Sequence, residues 1–180
     1  FSGLGQEVLS CPSWIGGKDW EAGAYSPLTN TMYYPLRNTC ARVLSTMEGG
    51  LAIYRLAARF QLAPGTDQVG TVQAISAETG EIVWGYEQRA ATLSLATTGG
   101  GLVFGGDANG RFRAFDQTSG EVLWEINLGS PVTGFPISFA VDGRQYVVAS
   151  TGTSSNFGSL HPELNPSSGN NLFVFALPDE

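Results

Sequence analysis

The 180-residue sequence predicts an all-β chain, on three observations. Lys occurs once, as Lys18, and charged residues make up only 14% of the chain, so the Lys- and Glu-rich stretches that favour helices are scarce. Twenty-four Gly and nine Pro supply turns at short intervals. A hairpin-like motif ending in tryptophan also recurs forty residues apart.

The motif reads Ala74-Ile75-Ser76-Ala77-Glu78-Thr79-Gly80-Glu81-Ile82-Val83-Trp84 and again Ala114-Phe115-Asp116-Gln117-Thr118-Ser119-Gly120-Glu121-Val122-Leu123-Trp124. A strand ends at Ala, a polar turn closes on a left-handed Gly, and a second strand carries Trp inward. Ala is small where a neighbour's indole must lie flat. Burying the ring is worth roughly 2–3 kcal/mol, and its N–H then needs an acceptor such as a turn carbonyl. A degenerate third copy starts at Ala24, with Ser26, Thr29, Asn30 in the Gly place and Tyr34 in the Trp place. Asn tolerates positive φ, and Tyr is another flat amphipathic ring.

The remaining segments continue the pattern. Leu56, Ala58, Phe60 and Leu62 alternate with more polar positions, which favours a strand over 51–62, although Arg55 and Arg59 would also share a helix face. Leu102-Val103-Phe104 precedes the turn Asp107–Gly110, and the following strand, 111–116, is read with Arg outward and Phe inward. Ile137–Val141, the Asp142-Gly143 turn and Gln145–Ala149 form a hairpin. Thr151–Asn171 reads as loop, and Leu172–Leu177 as a closing strand. About four strands per forty to fifty residues is the rhythm of a β-propeller blade. Three blades are too few to close a ring, so residues 1–180 are expected to form a partial propeller with exposed sheet edges, completed by a chain or segment outside this sequence.

Composition narrows the partners. A net charge of −7 and a pI near 4.6 exclude the basic surface that nucleic acid requires, but suit steering toward a cationic partner. No apolar run has the roughly 18–20 residues of a membrane span. The start at Phe1 carries no initiator Met and no signal-peptide pattern, and is read as a product of cleavage or ordinary processing. Cys11 and Cys40 cannot make a four-ligand zinc site; composition leaves paired and unpaired thiols open. Asp107, Asp116 and Asp142 fall in turns and are read as structural. His161, the single His, lies in a polar loop and is read as a surface residue. The run Gly99–Gly106 precedes a strand where a dinucleotide motif must open a helix.

The tryptophan repeat resembles the docking motif of the quinoprotein alcohol dehydrogenases. So do Cys11-Pro12-Ser13-Trp14-Ile15-Gly16-Gly17-Lys18-Asp19-Trp20 with Ala24-Tyr25-Ser26-Pro27, and Ala96–Gly106 with Gly110 beyond it. Order and spacing are similar to the C-terminal third of that family across nearly the whole chain. The resemblance implies the C-terminal portion of an eight-bladed propeller of four-stranded antiparallel sheets with tryptophan-docking motifs. It implies pyrroloquinoline quinone (PQQ) beside Ca²⁺ or a lanthanide, both bound mainly by the N-terminal part. The implied reaction is oxidation of primary or secondary alcohols by hydride transfer to PQQ, with an Asp as general base and electrons leaving to a cytochrome c-type acceptor. A periplasmic location goes with it.

The same resemblance implies a Cys11–Cys40 disulfide and cofactor contacts at Asp19, Trp20 and Ala91. The family commonly has Asn at the position of Asp19, and a carboxylate beside an anionic cofactor needs a cation, for which Lys18 is one candidate. Trp20 is expected to touch the cofactor edge or to pack. The methanol-oxidising branch has Trp where Ala91 stands, which favours a wider pocket and larger alcohols, sugar alcohols included. No late Gly-Gly-Trp is found near Gly152–Phe157, and nothing matches the family's metal ligands or catalytic Asp. The docking residues are Ala74, Gly80, Trp84, Ala114, Gly120 and Trp124. The alternative is a non-catalytic propeller scaffold built from the related repeat, which would have no need of the Cys11–Trp20 block.

Overall fold

The computed structural model describes residues 5–47, 54–153, 160–164 and 166–176. β1 (Glu7–Ser10) is followed by the hairpin β2 (Ala24–Ser26) and β3 (Thr31–Arg37). β4 (Thr39–Met47) and β5 (Tyr54–Leu62) form a long excursion, which β1 joins as a third strand. β6 (Gly70–Ser76) and β7 (Ile82–Gln88) return to complete the sheet β2-β3-β6-β7, blade I. Blade II is an uninterrupted meander of β8 (Thr92–Thr97), β9 (Leu102–Asp107), β10 (Arg111–Asp116) and β11 (Val122–Asn127). Blade III has β12 (Ile137–Val141), β13 (Arg144–Ser150) and β14 (Leu172–Ala176). All pairings are antiparallel. The strand over 54–62 resolves the ambiguity in that segment, and between Thr151 and Asn171 the described residues form one short 3₁₀ turn, Pro162–Leu164. Leu177 of the expected closing strand lies outside the described residues.

The repeat sets the joints between blades. Gly80 and Gly120 take φ of +76° and +74°, and Asn30 takes +48° at the matching place. Trp84, 9% exposed, lies beside its own Ala74 and reaches the next blade, where Nε1 donates to the Gln117 carbonyl at 2.9 Å. The surface beneath it is Gly120, where a Cβ would fall 2.6 Å from the ring. The neighbour's indole therefore lies on Gly, whereas Ala is its in-sheet partner. Tyr33, Val72, Ala74 and Trp84 of blade I pack on Leu95, Val103 and Phe115 of blade II in one core.

Three readings need correction. Ala24 pairs with Tyr33, since the first hairpin lacks the bulge found after Ala74 and Ala114; Tyr33, fully buried, takes the Trp place and Tyr34 does not. Its hydroxyl donates to the same Gln117 carbonyl, at 2.9 Å. β10 does not alternate out and in: a strand between two blades is covered on both faces. Phe115 faces blade I, Phe112 faces blade III, and Arg113 is buried against Asp107 at 2.8 Å. Trp124 is 38% exposed, bordering an apolar hollow of about 430 Å³ lined by Leu102, Phe104, Phe112 and Phe175.

What blade III leaves open is a face. Ile137, Phe139, Val141, Leu172 and Val174 share one side of the sheet and are 43–70% exposed. Such a contiguous apolar face is covered in a closed ring by the next blade.

Two predictions arise here. Cys11 and Cys40 are bonded, with Cα atoms 4.5 Å apart across 29 residues, tying the end of β1 to the start of β4. Replacing both with Ser should lower stability by roughly 3–4 kcal/mol in the chain-entropy picture, read by urea denaturation. Asp116 Oδ1 accepts the backbone N–H groups of Ser119 and Thr118 and the Ser119 hydroxyl, and these bonds hold its carboxyl below the ordinary 3.8. Its folded-state pKa is depressed, so its contribution is complete above the unfolded value and fades as pH falls through the folded one. Asp116→Asn should therefore flatten the acid limb of a stability-pH curve below about pH 4.

Candidate functional site

β2, β8 and β12 are the first strands of their blades, each at one edge of its sheet. Blades I and II converge on this edge, where Ala22 N–H donates to Ser94 Oγ at 3.1 Å and Leu95 N–H to the Ala22 carbonyl at 2.9 Å. The segments that lead into these three strands therefore meet at one end of the inner edge. They carry Asp19 and Trp20, Ala91, and Phe135.

The 16–21 segment is held from several sides. Gly16 has φ +75°, a conformation open to Gly, and its N–H donates to the Ser13 carbonyl. Lys18 Nζ donates to the carbonyls of Asp19 at 3.0 Å and Glu21 at 2.8 Å. Arg37, at the end of β3, donates its N–H to the Gly17 carbonyl and pairs through its guanidinium with the buried Glu21 carboxylate. Asp19 is 3.8 Å from the same guanidinium and stays partly exposed. Burial pulls Arg37 down to about 10, and the nearby Asp19 opposes the fall, so the group remains a cation at neutral pH. Both carboxylates thus face the Arg37 guanidinium, while Lys18 lies on backbone carbonyls; Lys18 and Arg37 together balance the two negative charges.

Trp20 is 55% exposed and meets Phe135, 56% exposed, edge to face at 6.0 Å and 74°. Ala91 as a whole is 1% exposed, packed with Val69 and Ala108, and its carbonyl accepts the Ala108 N–H.

His161 corrects another reading: it is 7% exposed. Nε2 lies 2.8 Å from the Asp67 carbonyl and Nδ1 lies 3.0 Å from Arg89, with Glu163 on the same guanidinium at 2.6 Å. This cluster pins Leu160 against Val69 and Ala91. Among the described residues no three or more His, Cys, Asp or Glu side chains assemble to hold a metal. No helix among them is long and apolar enough to cross a membrane.

The cysteine pair expected from the resemblance is bonded; Asp19 and Trp20 lie in the lead-in to β2, and sequence alone did not single out their neighbours Arg37, Glu21 and Phe135. Arg37 and Glu21 meet only through the return of β3 past the lead-in, and nothing in their local sequence signals it. Phe135 did carry a signal, a large ring directly before Pro136, which restricts the backbone of the residue preceding it.

The family model of the glucose/ethanol/alcohol dehydrogenase β-propeller domain, a PQQ family, matches residues 88–147. A quinoprotein ethanol dehydrogenase of Pseudomonas putida is 30% identical over 97% of this chain and 29% of its own length. A lanthanide-dependent methanol dehydrogenase of Methylacidiphilum fumariolicum is 35% identical over 82% of this chain and 25% of its own. Among solved structures, a europium-containing methanol dehydrogenase superposes with a TM-score of 0.82 at 27% identity, over 97% of this chain and 36% of that one. The chain thus spans about three-tenths of the length of the quinoprotein ethanol dehydrogenases it matches. With its radial four-stranded blades and interlocking Trp84 joint, the chain belongs to the β-propeller family of the quinoprotein alcohol dehydrogenases.

Proposed function

We propose that this chain supplies the C-terminal blades of a PQQ-dependent alcohol dehydrogenase and one wall of its cofactor site. The observation that carries this reading is the convergence of Asp19 and Trp20 with the lead-ins of blades II and III at one end of the inner edge. Bound PQQ would supply the electron-accepting quinone for oxidation of a primary or secondary alcohol.

The residues present suit a planar anionic group. Trp20 is more than half exposed, and the 16–21 segment, balanced by Arg37, does not repel the cofactor's carboxylates as a lone Asp19 would. Arg37 orients Asp19 and compensates its charge, while Lys18 clamps the backbone on both sides of Trp20. A metal set does not fit the described residues, so a Ca²⁺ or lanthanide site, like the general base, is assigned to the remaining blades. Those blades, as the N-terminal part of the same enzyme, would also cover the open face of blade III. Sugar alcohols remain within the proposed substrate range, a cytochrome c-type protein is the proposed acceptor, and the disulfide supports a periplasmic location.

The test uses the full-length protein. After incubation with PQQ and Ca²⁺ and gel filtration, it should retain the cofactor's absorbance and reduce a dye with ethanol or glycerol. No retention and no alcohol-dependent reduction under any metal tried would overturn the enzyme and leave a binding scaffold.

A further inference from the structure

We propose that Phe135 is a cofactor-positioning residue: with Trp20 it forms an aromatic corner against which the planar ring of PQQ is seated. This inference rests on the function proposed above. Phe135 stands two residues before β12, Ala91 one residue before β8 and Trp20 four residues before β2, so all three are lead-in residues at the same end of the inner edge. The ring therefore sits outside the sheet faces through which blades pack on one another. The hydrophobic residues on the open face of blade III await a neighbouring blade; Phe135 instead meets a ring from blade I, two blades away.

Its position is stiff. A Cβ on Gly134 would fall 1.7 Å from Ser150 Oγ, so the backbone there lies directly on β13, and Gly134 N–H donates to the Ser150 carbonyl. Pro136 fixes φ on the other side. Trp20 is held as firmly, between carbonyls clamped by Lys18. Two large rings, each more than half exposed and each immobilised by its backbone, meet at 74°. Such a corner can bound the edge of a flat conjugated ligand and limit its sideways movement. Ala91 lies buried against Val69 and Ala108, so its side chain does not reach the open corner.

The test titrates full-length apoprotein with PQQ and reads tryptophan fluorescence and the cofactor absorption band. F135A is expected to bind PQQ about tenfold more weakly with a shifted band, and F135Y to bind as the wild type does. F135L separates a flat ring from apolar bulk and is expected to resemble F135A. Should F135A fail to fold, the comparison of F135Y with F135L decides alone: equal affinities overturn the proposal. Binding by folded F135A within twofold of wild type, with an unmoved band, overturns it as well. If the wild type itself takes up no PQQ, the function proposed above has failed, which is a different result.

Discussion

Replacing Trp84 with alanine should lower the stability of the propeller by about 3–5 kcal/mol, measured by urea denaturation of the full-length protein. The indole is 9% exposed, lies on Gly120 of the following blade, stacks on Phe115 at 6.4 Å and meets Tyr33 at 5.6 Å. Truncation removes one of the largest contributions to the core shared by blades I and II, and rigid backbone on both sides prevents collapse into the space. Trp84→Phe removes the indole N–H and part of the ring, whereas Tyr33→Phe removes a hydroxyl alone. The Gln117 carbonyl accepts from both Trp84 Nε1 and the Tyr33 hydroxyl, so one lost donor leaves it satisfied by the other. Tyr33→Phe should then cost about 1 kcal/mol, Trp84→Phe more because the ring also shrinks, and the pair more than their sum, because only the double variant leaves a buried carbonyl unpaired. Gly120→Ala tests the same joint from below: it adds a methyl in the path of the ring at φ +74°, and no rotamer of alanine avoids it. Additive effects throughout, or a Trp84→Ala loss below 1 kcal/mol, would show that the blades are held elsewhere.

That joint was half legible. A ring at a fixed offset after a Gly turn gave the hairpin, the blade rhythm and the need for an acceptor, because those follow from local chain geometry. Which residue the ring rests on did not follow, since Gly120 belongs to the next copy and radial packing is set by the whole ring. The one-residue error at Tyr34 has a local cause: a bulge changes pairing register without leaving a composition signal. Arg113 and His161 were misjudged for a shared reason. Polar side chains look external to a pattern rule, yet Arg113 lies on a strand covered on both faces and His161 in a loop folded onto Asp67 and Arg89. Arg113 is accommodated by Asp107, Glu125 and Gln88, and His161 by Arg89 and the Asp67 carbonyl. At the candidate site, sequence singled out the residues proposed to face the cofactor but not what steadies them. Asp19 and Trp20 are contiguous, whereas Arg37 reaches them only by folding.

That unseen support gives the second large effect. Glu21→Ala should destabilise the protein by about 3–5 kcal/mol, because it strips a buried guanidinium of its principal counter-charge. Both side chains of the pair are 3% exposed, so water cannot replace the lost carboxylate without opening the lead-in to β2. Asp19 is the charge left nearby, and it sits 3.8 Å away at a partly exposed position. The same change should therefore draw Asp19 inward toward Arg37 and shift Trp20 with it. Glu21→Gln keeps the shape and one acceptor, and should cost less stability while still moving the carboxylate. A purely structural role predicts that PQQ affinity in the folded Gln variant stays at the wild-type level. A positioning role predicts weaker binding, with loss restored in part by Asp19→Asn, which removes the charge that Arg37 would otherwise capture. The outcome turns on electrostatics: one guanidinium serves two carboxylates, and the buried one keeps the exposed one in place.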